Sequence, residues 1–245
     1  MNKVLAIIPA RGGSKSLPRK NIKQLHGIPL IAYSIAAGLQ AKHISRVIVS
    51  TDDAEIAEVA RTWGAEVPFI RPGKLAQGDT PDFGVFQHAL KWLAEQENYV
   101  PDVIVQLRPT SPFRPPECVD QAVDLLLDDR IADSVRTIVP SGQNPYKMWR
   151  IAEKGYISPL LKAPAGIVEP YNTPRQQLPP TYWQTGHVDV ARYPTIMKKD
   201  SMSGDRILPL ILDPRYAIDL DTESDWSRAE WVMDSLESSI IRPKI

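Results

Sequence analysis

The chain carries a single cysteine, Cys118, among its 245 residues. One thiol closes no intrachain disulfide and builds no cysteine-based zinc cluster. A reduced, cytoplasmic setting is the expectation. No apolar run is long enough to cross a bilayer, and the short run before Arg11 is wrongly flanked for a secretory signal. No membrane partner is therefore expected. The formal net charge is zero, so no overall field draws the protein to nucleic acid. Repeats and low-complexity stretches are absent too. The most telling shortage is local: no acid occurs before Asp52, while basic residues do.

The basic residues cluster in Ile8-Pro9-Ala10-Arg11-Gly12-Gly13-Ser14-Lys15-Ser16-Leu17-Pro18-Arg19-Lys20-Asn21. An apolar run, Val4 to Ile8, precedes this stretch and reads as a buried strand. Pro29 to Ala37 follows it and reads as a helix with proline at its start. Glycines let backbone N–H groups approach a ligand closely, and Arg and Lys add charge suited to phosphates. A strand, a glycine-containing basic loop and a helix together suggest a polyphosphate site. The spacing is neither G-x-x-x-x-G-K-[ST] nor G-x-G-x-x-G. A solvated basic turn is the bland alternative.

Further along, Val47–Val49 and Asp102–Leu107 read as buried strands. Helices are expected over Ala54–Trp63, capped by Thr51 or Asp52, and from Thr80 to about Gln96. Ala65–Pro72 reads as a short strand entering a Pro/Gly-rich loop, Glu117–Leu127 as a helix opened by Pro115 or Pro116, and Ala132–Val139 as another strand. Strands alternating with helices predict βαβ units and a mostly parallel sheet sandwiched by helices. Ligands then sit at the carboxyl ends of the strands. One α/β domain over residues 1–245 is expected, interrupted near 140–185 by a Pro-, Tyr- and Trp-rich excursion.

Near the C-terminus, Asp219 and Asp221 stand two apart at what reads as a strand end. Period-2 geometry places both carboxylates on one face, a suitable ligand pair for Mg²⁺ beside a triphosphate. The bland alternative is that these acids only favour the start of the following helix. Thr222-x-x-Asp225 resembles a capping box for that helix.

Ile8 to Lys15 followed by Pro18-Arg19-Lys20-Asn21 resembles the nucleotide-binding motif of the acylneuraminate cytidylyltransferase family. So do Pro109-Thr110-Ser111-Pro112 with Arg114, Pro174-Arg175-Gln176-Gln177-Leu178-Pro179, and Ile218-Asp219-Leu220-Asp221-Thr222-Glu223. The similarity extends over nearly the whole chain. It implies a nucleotide-diphospho-sugar transferase fold, with an excursion near 140–185 that makes a homodimer. The implied reaction transfers CMP from CTP to the anomeric hydroxyl of an acidic 2-keto-3-deoxy sugar and releases pyrophosphate. Arg11, Gly12, Gly13, Ser14, Lys20 and Asn21 are implied to bind the nucleotide. Arg11, Lys20 and Asp221 are implied to be catalytic. Asp219 and Asp221 would hold Mg²⁺ or another divalent cation, and Arg175 the sugar's carboxylate, with Arg108 as a second contact.

The departures lie mainly on the sugar side. Ser16 replaces a common glycine, and Arg108 replaces a glutamine that contacts the sugar. Thr185 replaces an asparagine, Asp189 a sugar-contacting tyrosine, and Trp183 stands where an arginine can occur. Ser201-Met202 do not reproduce an aromatic pair. The expected acceptor is therefore broad: an N-acylneuraminate or related nonulosonic acid, with a Kdo-type acceptor as the alternative. A non-catalytic nucleotide-binding homologue is a further one. His187 is read as a structural strand histidine.

Overall fold

A computed structural model describes residues 2–14 and 16–244. Lys15 of the basic loop therefore lies outside the described residues. β1 (Val4–Pro9) leads through the basic loop into a small hairpin, β2 (Gln24–Leu25) and β3 (Ile28–Pro29), and then α1 (Leu30–Gln40). β4 (Arg46–Ser50), α2 (Ala54–Thr62), α3 (Asp82–Glu97), β5 (Val103–Gln106), α4 (Cys118–Asp128) and β6 (Ser134–Pro140) follow. The excursion contributes β7 (Trp149–Ile151) and β8 (Ile157–Pro159), an antiparallel hairpin of its own. β9 (Tyr182–Arg192), α5 (Tyr193–Met197), β10 (Ile207–Ile211) and α6 (Glu223–Leu236) complete the chain.

The main sheet has six strands in the order β10-β6-β9-β5-β1-β4. β9 runs antiparallel to β5 and β6, and every other pairing is parallel. Residues on β1 show why helices cover both faces. Val4, Ala6 and Ile8 pack into a cluster with Ile31 and Ile35 of α1 and Val119 and Val123 of α4. Leu5 and Ile7 point the other way, toward Phe86 and Leu90 of α3 and Ile196 of α5. Period-2 alternation thus feeds two cores from one strand. A third cluster joins Leu17 and Leu25 to Ile218, Leu220, Trp226 and Met233.

Several expectations are corrected. Asp53, not Thr51 or Asp52, caps α2 by accepting from the Ile56 N–H at 3.0 Å. Ala65–Ile70 makes only isolated bridges, Glu66 to Ile48 and Ile70 to Thr51. Pro68 inside it and Pro72 just after it cannot donate to a ladder. α4 starts at Cys118 rather than at a proline, behind Glu117 with φ +65°. The Asp219–Asp221 segment is not a strand, because a 3-10 turn at Pro214–Tyr216 turns the chain away from the sheet. Burial still alternates there: Ile218 and Leu220 are buried, and Asp219 and Asp221 are exposed. The capping box is present, with Thr222 and Asp225 bonding reciprocally. β10 carried no clear sequence signal, because Pro209 interrupts a short exposed-edge pattern.

No helix among the described residues is long and apolar enough to cross a membrane. Phe86 is completely buried between α3 and the sheet. Phe86→Ala is expected to destabilise the fold by about 3–5 kcal/mol, read from urea unfolding.

Candidate active site

A cleft of about 710 Å³ opens at the carboxyl ends of β1, β4 and β5. Its lining includes Arg11, Ser14, Lys20 and Asn21 from the basic loop, Arg108 and Thr110 after β5, and Asp221. The loop is shaped by acids of the segment after β4 and by its own Asn21 amide. The Gly12 N–H donates to Asp52 at 2.9 Å, and Asn21 donates to the Arg11 carbonyl at 2.9 Å. A Cβ on Gly12 would lie 2.7 Å from an Asp53 carboxylate oxygen, so this glycine is required by close approach. Among the described residues a Cβ on Gly13 would meet nothing within 4 Å. Arg19, in the left-handed region at φ +57°, pairs with Asp53 and Glu55 and ties the loop to the start of α2.

The basic loop and Asp221 meet across the cleft, whereas Asp219 lines a separate small hollow beside Ser111, Trp183 and Gly186. Lys20 Nζ lies 2.8 Å from Asp221 Oδ1, although the two residues are 201 positions apart. The Leu220 N–H donates to the Thr110 carbonyl at 2.9 Å, and the Ser111 hydroxyl donates to Asp219 at 3.4 Å. Partial desolvation by these walls raises the Asp219 carboxyl although the residue keeps exposed surface; the Asp221 charge raises it too, while Thr110, Lys20 and Ser111 oppose the shift. Among the described residues no cluster of three or more His, Cys, Asp or Glu side chains forms a complete metal cage. Two carboxylates on one side of an extended segment do fit a hard cation that takes its remaining oxygens from a phosphate chain and water.

Residues not singled out from sequence also line this cleft: Arg71, Gln77, Asp79, Thr80 and Asp82. Arg71 is buried, donates through Nε to the Ser50 hydroxyl at 3.1 Å, and bonds the Ser50 carbonyl. Burial lowers it to about 10, against the pull of Asp52 and Asp82. Arg11 reaches across to the Gln77 carbonyl at 2.6 Å. The available signal was positional: this Pro/Gly-rich segment also follows a parallel bridge to β4, on the ligand-bearing side of the sheet.

Arg108 is placed differently from a free cation. It lies 2.7 Å from Asp82 and 3.0 Å from Asp189, and Asp189 also pairs with Arg136 at 2.5 Å. Burial pushes the Asp189 carboxyl upward, and Arg136 and Arg108 pull it back. Arg108 and Asp189, two positions at which the sequence departs from the family pattern, are thus in direct contact. β9 makes room for the contact through a bulge: Arg136 pairs with Asp189, but Ile138 pairs with Gln184. Gly186 within the bulge sits so close that a Cβ would meet the Ser111 hydroxyl at 2.6 Å.

Arg114 has no exposed surface. It donates to the carbonyls of His187 at 2.6 Å and Arg108 at 2.7 Å, and to the Ser34 hydroxyl at 3.0 Å. The loop after β5 is thus tied to β9 and α1. Arg175 is not brought to the main cleft. It donates to the Ser141 carbonyl at 2.7 Å and lines a separate hollow of about 530 Å³ beside Pro140, Asn144 and Tyr182.

A family described as cytidylyltransferase matches residues 5–147. The chain is 34% identical to the CMP-N,N'-diacetyllegionaminic acid synthase of Legionella pneumophila, over 98% of this chain and 100% of that protein. It is 31% identical to N-acylneuraminate cytidylyltransferase A of Danio rerio, over 93% of this chain and 50% of that one. Among solved structures, a CMP:2-keto-3-deoxy-manno-octonic acid synthetase complexed with CTP superposes with a TM-score of 0.68 at 16% identity. That match covers 95% of this chain and 99% of the other.

His187 is buried and bonds the Tyr216 carbonyl through Nε2 at 2.9 Å. Burial, then the Arg114 charge, lowers it from 6.5 to about 4. The unfolded chain therefore binds the proton first as pH falls, and the fold loses stability between about 6.5 and 4. The loss is expected to reach up to about 3 kcal/mol. Urea unfolding across that range should show a flatter dependence for His187→Gln than for the wild type.

Proposed function

The chain belongs to the cytidylyltransferase family, and on that premise we propose that it transfers CMP from CTP to the anomeric hydroxyl of a nonulosonic acid, releasing pyrophosphate. The observation that carries this reading is the 2.8 Å approach of Lys20 to Asp221, which joins the basic loop to one member of the acidic pair at the cleft. The acceptor class is supported by the similarity to enzymes named for diacetyllegionaminic and N-acylneuraminic acids. The octonic-acid synthetase shares the fold at 16% identity, which supports a Kdo-type acceptor less well.

In this reading Arg11, Ser14, Lys20 and Asn21 bind the nucleotide with the backbone of Gly12 and Gly13. Arg71, a buried guanidinium on the cleft wall, adds positive charge at the same end. The sugar hydroxyl attacks the α-phosphorus in line and gives its proton to solvent, the bond to the bridging oxygen breaks, and pyrophosphate departs with that bond's electrons. Such a reaction depends on positioning and charge neutralisation more than on covalent chemistry. Arg11 and Lys20 neutralise charge that grows on the leaving group. Asp219 and Asp221 would hold a divalent cation, Mg²⁺ in this reading, which when bound neutralises phosphate charge. Thr110 and Ser111 keep that acidic segment against the cleft wall.

The cytoplasm is the proposed location, in keeping with one buried thiol and a nucleotide substrate. A homodimer built through the excursion is proposed as well. Its hairpin exposes Ile151, Tyr156 and Ile157, three large apolar side chains that a second subunit would cover. Arg175 belongs to this excursion, and its assignment to the sugar carboxylate depends on that assembly.

Pyrophosphate release from CTP and Mg²⁺ should appear with an acid sugar from a panel of N-acetylneuraminate, N,N'-diacetyllegionaminate, pseudaminate and Kdo. Asp221→Ala should abolish release while circular dichroism and urea unfolding remain close to wild type. Activity near the wild-type level in that variant would remove Asp221 from the mechanism. Ile151→Asp combined with Ile157→Asp should convert a dimer into a monomer by sedimentation. An unchanged mass would place any dimer contact elsewhere.

A further inference from the structure

The Arg108 guanidinium faces the cleft from the β5 and β9 side, near Asp219, whereas Arg71 and the Arg11–Gln77 contact lie on the β4 side. If the nucleotide takes the basic end, the acceptor faces Arg108. Arg108 is held on two sides: one nitrogen contacts Asp189, which is 4% exposed, and another contacts Asp82. Arg136 completes a group of two guanidiniums and two carboxylates. Their formal charges cancel, so this wall offers little to a further carboxylate.

What it does offer is an adjacent donor and acceptor. Asp82 uses Oδ2 for both Arg108 and Gln106, at 2.7 and 2.8 Å. Among the described residues Asp82 Oδ1 and Arg108 Nε–H have no hydrogen-bond partner, and both residues line the cleft. A hydroxyl donates and accepts from one oxygen, and two neighbouring hydroxyls satisfy such a pair fully. A trans acylamino group does not, because its N–H and C=O point in opposite directions. A free carboxylate lacks the proton that Asp82 requires.

Resting on the cytidyl-transfer reading above, we infer that Arg108 and Asp82 form a specificity pair that binds hydroxyl groups of the acid sugar, Asp82 accepting and Arg108 donating. Asp189 and Arg136 act behind it as positioning residues that fix the guanidinium. The departures at 108 and 189 then change how the acceptor's hydroxyls are read, while its carboxylate binds elsewhere.

The test is a cycle between enzyme and substrate. Asp82→Asn is the primary variant, since it leaves Arg108 paired with Asp189 and keeps the side chain's size. Arg108→Gln is the second variant, checked by urea unfolding because it strips Asp189 of one partner. Pyrophosphate release is measured with whichever of N-acetylneuraminate, N,N'-diacetyllegionaminate and pseudaminate gives the highest wild-type rate. Single-deoxy analogues of that sugar are then compared. The wild type should lose about tenfold or more in kcat/KM on one deoxy analogue or two adjacent ones. Asp82→Asn should lose as much on the parent sugar through acceptor KM, lose little more on those analogues, and keep the KM for CTP. Equal deoxy penalties in both enzymes overturn the inference and leave cytidyl transfer standing. A change confined to the KM for CTP does the same, by placing the pair against the nucleotide. No release from any of the three sugars by the wild type overturns the inference together with the nonulosonic-acid reading beneath it.

Discussion

A small apolar cluster holds the basic loop against the acidic segment and α6. Leu17 from the basic loop, Ile218 and Leu220 from the acidic segment, and Trp226 and Met233 from α6 share it. Burial of these side chains is non-directional and depends on area removed from water, so it sets proximity rather than chemistry. Chemistry follows from what alternates with them. Because Leu220 turns inward, Asp219 and Asp221 turn outward; because Leu17 is anchored, Lys20 comes within 2.8 Å of Asp221. The α6 capping box closes the same turn, joining local hydrogen bonding to the tertiary contact.

A second constraint is the placement of charge inside the protein. Arg114 is buried without a carboxylate partner among the described residues and satisfies its donors with two carbonyls and one hydroxyl. Burial lowers it to about 10. An uncompensated buried charge is costly, and what this one accomplishes is visible in its partners: it joins the loop after β5 to α1 and the β9 bulge. That loop in turn carries Arg108, Thr110 and Ser111. The Arg108–Asp189–Arg136 group solves the same problem by pairing, and Asp82 extends it to the cleft surface.

Membership of the cytidylyltransferase family and the mostly parallel α/β architecture agree with what the motifs implied. The long apolar strands and the helices between them were legible because their periodicity is local and strong. The edge strand β10 and the reversed direction of β9 were not. Strand direction depends on partners remote in sequence, and Pro209 weakened the pattern of β10. The Asp219–Asp221 segment shows the limit in another form: the alternation was legible, but it belongs to an extended loop rather than to a strand.

The sequence by itself determined the ingredients: a glycine-containing basic loop after a buried strand, an Asp-x-Asp alternation before a capped helix, and helix-sized gaps between apolar strands. Each depends on residues within a few positions of one another, where backbone geometry restricts the outcome. Only the tertiary structure decided which ingredients meet. It joined Lys20 to Asp221, added Arg71 and Asp82 to the cleft, and left Arg175 outside it. It also paired Arg108, expected from the motifs as a second sugar contact, with Asp82 and Asp189. Those outcomes follow from packing between segments far apart in the chain, and no local pattern encodes the charge that a distant strand will present.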